Sequence, residues 1–296
     1  MKILIMGGSG FIGKNLREQL VSDDYEVHAP TSTELNLLDT SKVSQYLKEH
    51  YFDVILHAAT WAATRTSTKD ITRVFENNIR IFFNIARCNK DFGKMIYYGS
   101  GAEFSREHWK PKMSEDYFDA YIPTDQYGFS KYIMNKHAEK SKNIYNLRLF
   151  GIFGKYEDWK IRFISNAICK VIYDLPITIK QNVFFDYMYI DDLVEITKWF
   201  IYSSPKYKSY NICTGQIYDL RTLAIKVIEA SSNNLTIFVG CDGMSQEYSG
   251  DNSRFISEIG GYSFRDMNDC IRELYHWYKS NKHHIDKERL LKEDSN

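Results

Sequence analysis

The ten residues GGSGFIGKNL, from Gly7 to Leu16, directly follow the apolar run ILIM at positions 3–6. Gly7, Gly10 and Gly13 give a spacing at which the backbone turns tightly and comes close to a phosphate group. Ile12 and Leu16 are four residues apart, which predicts a helix directly after the loop. A buried strand, a glycine loop and a helix in this order predict a binding site for the pyrophosphate of a dinucleotide.

The composition is that of an ordinary soluble globular chain. Of the 296 residues, 44% are apolar and 26% are charged, and 38 basic residues balance 38 acidic ones. This balance argues against a nucleic-acid partner, and no apolar run is long enough for a membrane span. The chain starts as a strand and a loop rather than a secretory signal, so we expect a cytoplasmic protein. We predict that its scattered cysteines are reduced and that it holds no metal: Cys88, Cys169, Cys213, Cys241 and Cys270.

Strand-like and helix-like segments alternate through the first half of the chain, which is typical of a parallel sheet with helices on both faces. We therefore predict an α/β fold with a Rossmann-type, doubly wound parallel sheet. The predicted strands are 2–6, 25–29, 53–57, 94–98 and 145–149. The predicted helices are 11–22, 41–50 (capped by Ser41), 71–88 and a segment from about 127 to 140.

After about residue 155 the alternation becomes less regular. Helix-like runs at 162–173, 193–202, 220–230 and 266–281 are mixed with short strands at 177–180, 187–190 and 236–239. We predict an NAD(P)-binding Rossmann domain at 1–155 and a smaller α+β lobe for the substrate at 156–296. Some strands and helices of the second part are expected to return to the first.

The segment after the second strand bears on the choice between NADP and NAD. An acidic residue there would bind the ribose 2′-hydroxyl of NAD. The sequence VHAPTS at 27–32 contains no acid, and none follows before Glu34, but it contains no arginine either. His28, Thr31, Ser32 and Lys14 are the available donors, so we predict NADP and keep NAD as the alternative.

Three residues carry the predicted chemistry. Tyr127 and Lys131 are four residues apart in YGFSK, so a helix would place both side chains on one face. A lysine ammonium beside a phenol favours the phenolate and lowers the pKa of the phenol. Ser100 follows the strand 94–98 and would lie at the sheet edge where the glycine loop opens. This set can bind a substrate oxygen and give it a proton or take one from it.

With these residues, the chain resembles the extended short-chain dehydrogenase/reductase family, the group of nucleotide-sugar epimerases, dehydratases and reductases. The similarity runs through nearly the whole chain and includes the glycine loop, the Ser-Tyr-Lys set and RLFGIFG at 148–154. The resemblance implies catalytic roles for Ser100, Tyr127 and Lys131. It also implies a homodimer that pairs the helices bearing Asn78 and Tyr127.

The resemblance extends to the cofactor site. It implies that Asp39 contacts the adenine, that His57, Ala58 and Ala59 line the cofactor, and that Asn78 lies near the central strand. The complete set of cofactor residues that we predict is Gly7, Gly10, Phe11, Ile12, Gly13, Asp39, His57, Ala58, Ala59, Asn78, Tyr127, Lys131, Phe150 and Gly151.

Departures from the family pattern narrow the reaction. Dehydratases of the family carry an acidic pair directly after the catalytic serine or threonine, where this chain has Gly101 and Ala102. Glu103 follows, and we expect it at a strand position that faces away. The members that make GDP-fucose use a cysteine at the position of Ala102 and a histidine that aligns near Arg162. Without these groups the hydride step remains, as reduction of a 4-keto sugar or as 4-epimerisation.

The substrate lobe shows a further departure. The family often places an arginine for the nucleotide diphosphate where this chain has Phe185. Lys180 and Arg254 are candidate replacements, whereas Asp191 and Asp192 are expected to cap the following helix. We predict a nucleotide-sugar substrate held by Ser100, Gly101, Arg162, Lys180 and Arg254.

The sequence leads to one hypothesis and two alternatives. The hypothesis is NADPH-dependent reduction, at C4, of a nucleotide-linked 4-keto-6-deoxy sugar, a step of deoxysugar biosynthesis. The first alternative is a nucleotide-sugar 4-epimerase with tightly bound NAD. The second is a binding protein of the same fold that has lost turnover.

Overall fold

Six parallel strands form the central sheet in the order β2-β1-β3-β4-β5-β9. The computed structural model describes residues 1–20, 25–61, 64, 67–231 and 234–292. The strands of this sheet are β1 (Lys2–Met6), β2 (Glu26–His28), β3 (Phe52–His57), β4 (Phe92–Ser100), β5 (Ile144–Leu149) and β9 (Ser209–Ile212). The order reverses at β1, which lies between β2 and β3, and ligands of such sheets bind at this crevice.

The sheet is buried on both faces, which explains why its strands are nearly continuous apolar runs. Side chains alternate between two core clusters: Ile3 and Ile5 belong to one, and Leu4 belongs to the other. All three are fully buried. The same alternation sends Tyr97 and Tyr98 of β4 to opposite faces.

Helices cover both faces, so the predicted doubly wound fold is confirmed. One face is covered by α1 (Phe11–Gln19) and α6 (Ile190–Tyr202), which contact each other. The other is covered by three helices that pack side by side: α2 (Thr40–Glu49), α3 (Val74–Ala86) and α4 (Gln126–Lys140). None of the helices that the structure describes is long and apolar enough to cross a membrane.

The second half of the chain builds a smaller α+β part and also returns to the sheet. Its strands are β6 (Gly151–Phe153), β7 (Ile177–Asn182), β8 (Phe184–Tyr189), β10 (Ile217–Asp219) and β11 (Ile237–Met244). They form the sheets β10-β8-β6 and β11-β7. The remaining helices are α5 (Phe163–Ile172), α7 (Leu220–Ser231), α8 (Ser253–Ile259), α9 (Met267–Ser280) and α10 (Lys287–Lys292). Strand β9 is part of the central sheet, and helix α6 packs on one face of it, although both follow residue 155.

Several helices begin or end at residues other than those that the sequence predicted. Helix α2 is capped by Asp39, whose carboxylate accepts from the backbone N–H groups of Ser41 and Lys42, rather than by Ser41. The segment predicted as one helix over 71–88 begins as a 3-10 turn, Ile71–Arg73, capped by Asp70. Helix α1 ends at Gln19 rather than at residue 22, which lies outside the described residues.

The expectation that Asp191 and Asp192 cap a helix is wrong. Helix α6 begins at Ile190, so both residues lie in its first turn and neither side chain caps it. Asp191 instead pairs with Arg265 at 2.8 Å, and Asp192 accepts from the Tyr262 hydroxyl at 2.9 Å. These two partners are 74 and 70 positions away in the chain, so capping patterns near the helix did not reveal them.

The glycine loop is shaped by close backbone contacts. Gly7 has a φ of +85°, and a Cβ there would lie 2.7 Å from the backbone nitrogen of Ala59 in the loop after β3. A Cβ on Gly13 would lie only 2.1 Å from the carbonyl oxygen of Gly7. The backbone geometry of the loop itself therefore requires glycine at both positions, whether or not a ligand is bound.

This geometry yields a stability prediction for the loop. Gly13→Ala places a methyl group against backbone atoms that cannot move aside, although alanine is usually the better helix former. We expect the free energy of unfolding to fall by about 1–3 kcal/mol, as for an overpacked core, measured by denaturant unfolding. Gly10→Ala is the matched control because its Cβ would lie at an ordinary 3.4 Å from Gly7. Equal stability of the two variants would contradict this account.

Candidate active site

Ser100 is the last residue of β4 and the N-cap residue of the 3-10 turn Gly101–Glu103. Its hydroxyl oxygen accepts a hydrogen bond from the backbone N–H of Ala102 at 3.1 Å. Its own backbone N–H donates to a carboxylate oxygen of Glu103, also at 3.1 Å. These two reciprocal bonds fix the serine at the carboxyl end of the central strand.

We expected Glu103 at a strand position, but it lies in the 3-10 turn after Ser100. It is fully buried and forms an ion pair at 2.8 Å with Arg148 of β5, which is buried as well. The side-chain amide of Asn146 donates to both carboxylate oxygens. The carboxylate is thus engaged by the backbone N–H of Ser100, by Asn146 and by Arg148 inside the protein.

The start of α4 brings Tyr127 to Ser100. Asp125 caps the helix by accepting from the backbone N–H of Gly128 at 2.8 Å. A Cβ on Gly128 would lie 2.6 Å from the carbonyl oxygen of Ala102, so glycine lets the helix approach the turn after Ser100. The Ser100 hydroxyl then lies close enough to the Tyr127 phenol to lower its pKa.

The pKa of Tyr127 is raised, whereas the sequence led us to expect a lowered one. Burial of the phenol is the largest cause, and the negative charge of Glu103 adds to it. The Ser100 hydroxyl and the positive charge of Arg162 act in the opposite direction. The Lys131 ammonium lies 5.7 Å from the centre of the Tyr127 ring and donates instead to the carbonyl oxygen of Tyr98 at 3.2 Å.

Lys131 is a buried amine one turn after Tyr127. Burial lowers its pKa to about 8, and the charge of Glu103 opposes that shift. The ammonium lies 4.7 Å from the centre of the Tyr97 ring, whose face attracts a cation. Lys131 is therefore charged at neutral pH, and it loses its proton as the pH rises through about 8.

The start of α1 fits an anionic group. Gly10 is the N-cap residue, and neither a capping side chain nor an acidic residue of the first turn is present. The first N–H groups of the helix, which include those of Phe11 and Ile12, carry the positive end of its dipole. The loop lies at the crevice where the strand order reverses, so this donor set fits a dinucleotide pyrophosphate.

The residues after β3 form the wall beside the glycine loop. Ala58 and Ala59 pack against Gly7, and Asn78 of α3 holds the next residues by accepting from the backbone N–H of Trp61 at 2.7 Å. His57 lies deeper and is buried against Phe82 and Tyr97. Burial lowers its pKa to about 3, so its imidazole is neutral at ordinary pH.

Most side chains predicted to donate to the adenosine end of the dinucleotide already have partners within the protein. His28 contacts Glu26 at 2.7 Å, and the Thr31 hydroxyl donates to Glu34 at 2.9 Å. The Lys14 ammonium lies over the ring of Tyr156. Asp39, for which the family resemblance implies an adenine contact, uses its carboxylate to cap α2.

Arg17 is a cation at this end that the sequence analysis missed. It is exposed on α1, and a Cβ on Gly8 would lie 3.1 Å from Cδ of Arg17 and 2.9 Å from Cβ of Ala29. The arginine stem thus crosses from the glycine loop to the end of β2. The sequence offered one signal for it: Arg17 is four residues after Gly13, and residues four apart lie on the same face of a helix.

Phe150 and Gly151 follow β5 and lie near a second missed residue, Tyr248. The Tyr248 ring is 5.2 Å from that of Phe150, and a Cβ on Gly101 would lie 2.4 Å from the Tyr248 hydroxyl. The Ser100 hydroxyl acts to lower the pKa of the Tyr248 phenol, as it does that of Tyr127.

The three predicted substrate cations lie in different surroundings. Arg162 is the exposed N-cap residue of α5, and its charge acts on Tyr127. Lys180 is exposed on β7. Arg254 is bound by Asp116 at 2.7 Å and lies 3.8 Å from Glu115, so its charge is balanced within the protein. Of the three, only Arg162 is electrostatically coupled to the Ser100–Tyr127 centre.

The cysteines and other metal-binding residue types are dispersed. All five cysteines are free thiols, and four of them are buried. In the part of the chain that the structure describes, no three His, Cys, Asp or Glu side chains are grouped to hold a metal ion.

Comparison with known proteins places this geometry in a family. A model of the NAD dependent epimerase/dehydratase family matches residues 3–213. The dTDP-4-dehydro-6-deoxyglucose reductase of Escherichia coli is 28% identical over 92% of this chain and 96% of that protein.

Two solved structures share the fold. A GDP-L-fucose synthetase from Naegleria fowleri bound to NADP has a TM-score of 0.83 at 14% identity, over 96% of this chain and 94% of that one. A UDP-glucose 4-epimerase from Thermus thermophilus in complex with NAD has a TM-score of 0.78 at 20% identity, over 94% and 99%. The match to the family model covers more than half of the sequence, and the chain belongs to the NAD dependent epimerase/dehydratase family as an oxidoreductase or epimerase.

Proposed function

We propose that the protein is an NADPH-dependent reductase of a nucleotide-linked 4-keto-6-deoxy sugar and acts at C4. The observation that carries the proposal is the set of Ser100, Tyr127 and Lys131 at the sheet edge where the glycine loop opens, with no uncommitted acid or base in the turn after Ser100. Gly101 and Ala102 have no ionisable group, and Glu103 is held by Arg148. A water elimination needs such a group, whereas a carbonyl reduction needs one proton donor.

In this proposal the reduced nicotinamide supplies a hydride to the keto carbon. The Ser100 hydroxyl donates to the keto oxygen and orients it. The Tyr127 phenol gives its proton to that oxygen as the carbonyl becomes an alcohol, and the resulting phenolate regains a proton from solvent. The Lys131 ammonium stabilises the phenolate and is a donor for the ribose of the nicotinamide.

The nucleotide-sugar substrate is proposed from the relatives. The E. coli relative is named as a reductase of a dTDP-linked keto sugar. Another relative, 26% identical over 93% of this chain, is named as a GDP-6-deoxy-D-talose 4-dehydrogenase. Both names describe hydride chemistry at a nucleotide-linked deoxysugar. The homodimer and the cytoplasmic location stay predictions.

A 4-epimerase with tightly bound NAD is the second candidate. The same three residues could take the proton from a C4 hydroxyl and return it, while the bound nicotinamide would accept the hydride and give it back. The two candidates differ in how they treat the cofactor. A reductase exchanges its nicotinamide in each cycle, whereas an epimerase regenerates it within one cycle and keeps it bound.

The first prediction concerns the reaction. The purified protein is expected to oxidise NADPH, followed by its absorbance, with at least one member of a panel of dTDP-, GDP- and UDP-linked 4-keto-6-deoxy sugars. Tyr127→Phe should lower kcat by about 10²–10⁴-fold because it removes the proton donor, while NADPH binding is retained. Tyr145→Phe, a half-buried tyrosine of β5, is the control. If NADPH is oxidised with no sugar of the panel, or if Tyr127→Phe leaves kcat unchanged, the proposal is wrong.

The second prediction concerns the cofactor. We propose that Arg17, whose stem lies between the glycine loop and the residue after β2, would bind the 2′-phosphate of NADP, so Arg17→Gln should weaken NADPH binding about tenfold, as for one lost charge-assisted hydrogen bond. NADH binding should be unchanged, and both are measured by titration of nicotinamide fluorescence. Arg221→Gln, an exposed arginine on α7, is the matched control. Copurified NAD that resists exchange would favour the epimerase instead.

The third prediction uses the buried charge of Lys131. Because its pKa is about 8 in the folded protein and ordinarily 10.5, keeping it charged at pH 7 costs roughly 3 kcal/mol. Lys131→Met should therefore raise the melting temperature at pH 7 while abolishing turnover. The cost is present below pH 8 and fades as the pH rises toward 10.5, so the gain should shrink by more than half at pH 9.5. A gain that does not change with pH would contradict a burial cost.

A further inference from the structure

We infer that Asn84 of α3 is a positioning residue of the dinucleotide site: its side-chain amide holds the turn 36–39, which borders the adenosine half of the cofactor. Asn84 is fully buried inside the protein, so it acts through this turn and not by contact with the ligand. The inference rests on the proposed function for the place of the nicotinamide, but it does not depend on the sugar.

The amide of Asn84 ties the turn to α3 at two points. Its Nδ2 donates to the carbonyl oxygen of Leu37 at 2.8 Å, and its Oδ1 accepts from the Thr40 hydroxyl, also at 2.8 Å. A backbone carbonyl only accepts hydrogen bonds, so the amide nitrogen of Asn84 must face Leu37 and the amide oxygen must face Thr40. One planar side chain therefore connects the turn and the first residue of α2 to the neighbouring helix.

The turn is also closed by bonds of its own. The backbone N–H of Leu38 donates to the side-chain oxygen of Asn36 at 3.0 Å, and that of Asp39 donates to the carbonyl oxygen of Asn36 at 2.9 Å. These local bonds fix the shape of the turn. The two bonds to Asn84 span 47 and 44 positions of sequence and fix where the turn lies relative to the sheet.

The topology of the sheet places this turn at the crevice. Helix α2 connects β2 to β3, which lie on opposite sides of β1. Because the three strands are parallel, the helix that follows β2 begins at the carboxyl edge of the sheet, where ligands of such sheets bind. Helix α1 begins at the same edge on the opposite face. The glycine loop and the turn 36–39 thus border the crevice from its two sides.

The direction of the dinucleotide follows from the groups that it must reach. Its pyrophosphate fits the start of α1, directly after β1, and its nicotinamide must reach Ser100 at the end of β4. In the strand order, β3 and β4 lie on one side of β1 and β2 lies on the other. The adenosine therefore extends from the pyrophosphate toward β2 and the turn. A displaced turn would weaken the binding of adenosine, which NADPH and NADH share.

Asn84→Ala removes both bonds to the turn. We expect the variant to bind NADPH and NADH about tenfold more weakly, as for the loss of one or two hydrogen bonds, measured by titration of nicotinamide fluorescence. Arg17→Gln should affect NADPH alone, so NADH distinguishes the loss of the turn from the loss of a phosphate contact.

Asn143→Ala is the matched control for Asn84→Ala. The Asn143 amide also donates to backbone carbonyl oxygens, but it does so beside the first residues of β4, at the amino edge of the sheet. Its acceptors are Asn89, Phe92 and Gly93. Both variants should lower the melting temperature, but Asn143→Ala should bind NADPH and NADH as the wild type does.

A milder pair of variants tests the same link if Asn84→Ala does not fold. Thr40→Val removes the hydroxyl that donates to Asn84 and keeps the shape of the side chain, so it should weaken both dinucleotides about threefold. Thr40→Ser keeps the hydroxyl and should restore the wild-type affinity. Equal affinities of Thr40→Val and Thr40→Ser would contradict the inference.

Steady-state kinetics separate positioning from a general loss of structure. In Asn84→Ala the KM for NADPH should rise about tenfold, whereas kcat at saturating NADPH and the KM for the sugar should not change. Affinities of Asn84→Ala for NADPH and NADH equal to those of Asn143→Ala would overturn the inference. Weaker dinucleotide binding by Asn84→Ala, in a protein that reduces no sugar of the panel, would refute the proposed function and support the inference.

Discussion

The buried ion pair between Glu103 and Arg148 is the interaction on which the active centre depends. Both side chains are fully buried, and the pair spans 45 positions of sequence to join the turn after β4 to strand β5. Burying two charges is unfavourable unless their remaining hydrogen-bonding groups are satisfied. Asn146 donates to both carboxylate oxygens, and Asn211 accepts from one guanidinium nitrogen at 2.9 Å. The buried Nη2 of Arg148 has no hydrogen-bond partner among the described residues, and the guanidinium lies over the rings of Phe104 and Phe118. Because the backbone N–H of Ser100 donates to the same carboxylate, loss of one partner, which costs about 3–5 kcal/mol in general, would also release the serine.

This pair imposes a steric requirement on its surroundings. A Cβ on Gly99 would lie 2.2 Å from a carboxylate oxygen of Glu103, so the strand must carry glycine directly before Ser100. The turn that the carboxylate holds must in turn receive helix α4, and Gly128 allows its approach to the Ala102 carbonyl. Gly99 and Gly128 thus serve the placement of Ser100 and Tyr127.

Features encoded by local pattern were predictable from the sequence, and features encoded by distant partners were not. The apolar run of β1 and the spacing of Gly7, Gly10 and Gly13 identify strand, loop and helix because each is a property of a few adjacent residues. Glu103 was assigned to a strand because its buried partner, Arg148, is visible only in the folded sheet. Tyr248 is one of 22 tyrosines, and nothing adjacent to it in the sequence marks it as a neighbour of Ser100.

The charge balance at the centre bears on the direction of catalysis. The carboxylate of Glu103 raises the pKa of both Lys131 and Tyr127, so it helps to keep the amine charged and disfavours the phenolate. Ser100 and Arg162 counter its effect on Tyr127, but burial leaves the pKa of the phenol raised. A reductase begins its cycle with a protonated phenol, whereas an epimerase begins by removing a proton from an alcohol. A phenol that holds its proton firmly therefore suits the proposed reduction, in which the Lys131 ammonium and the Ser100 hydroxyl would stabilise the phenolate once the proton has been given up.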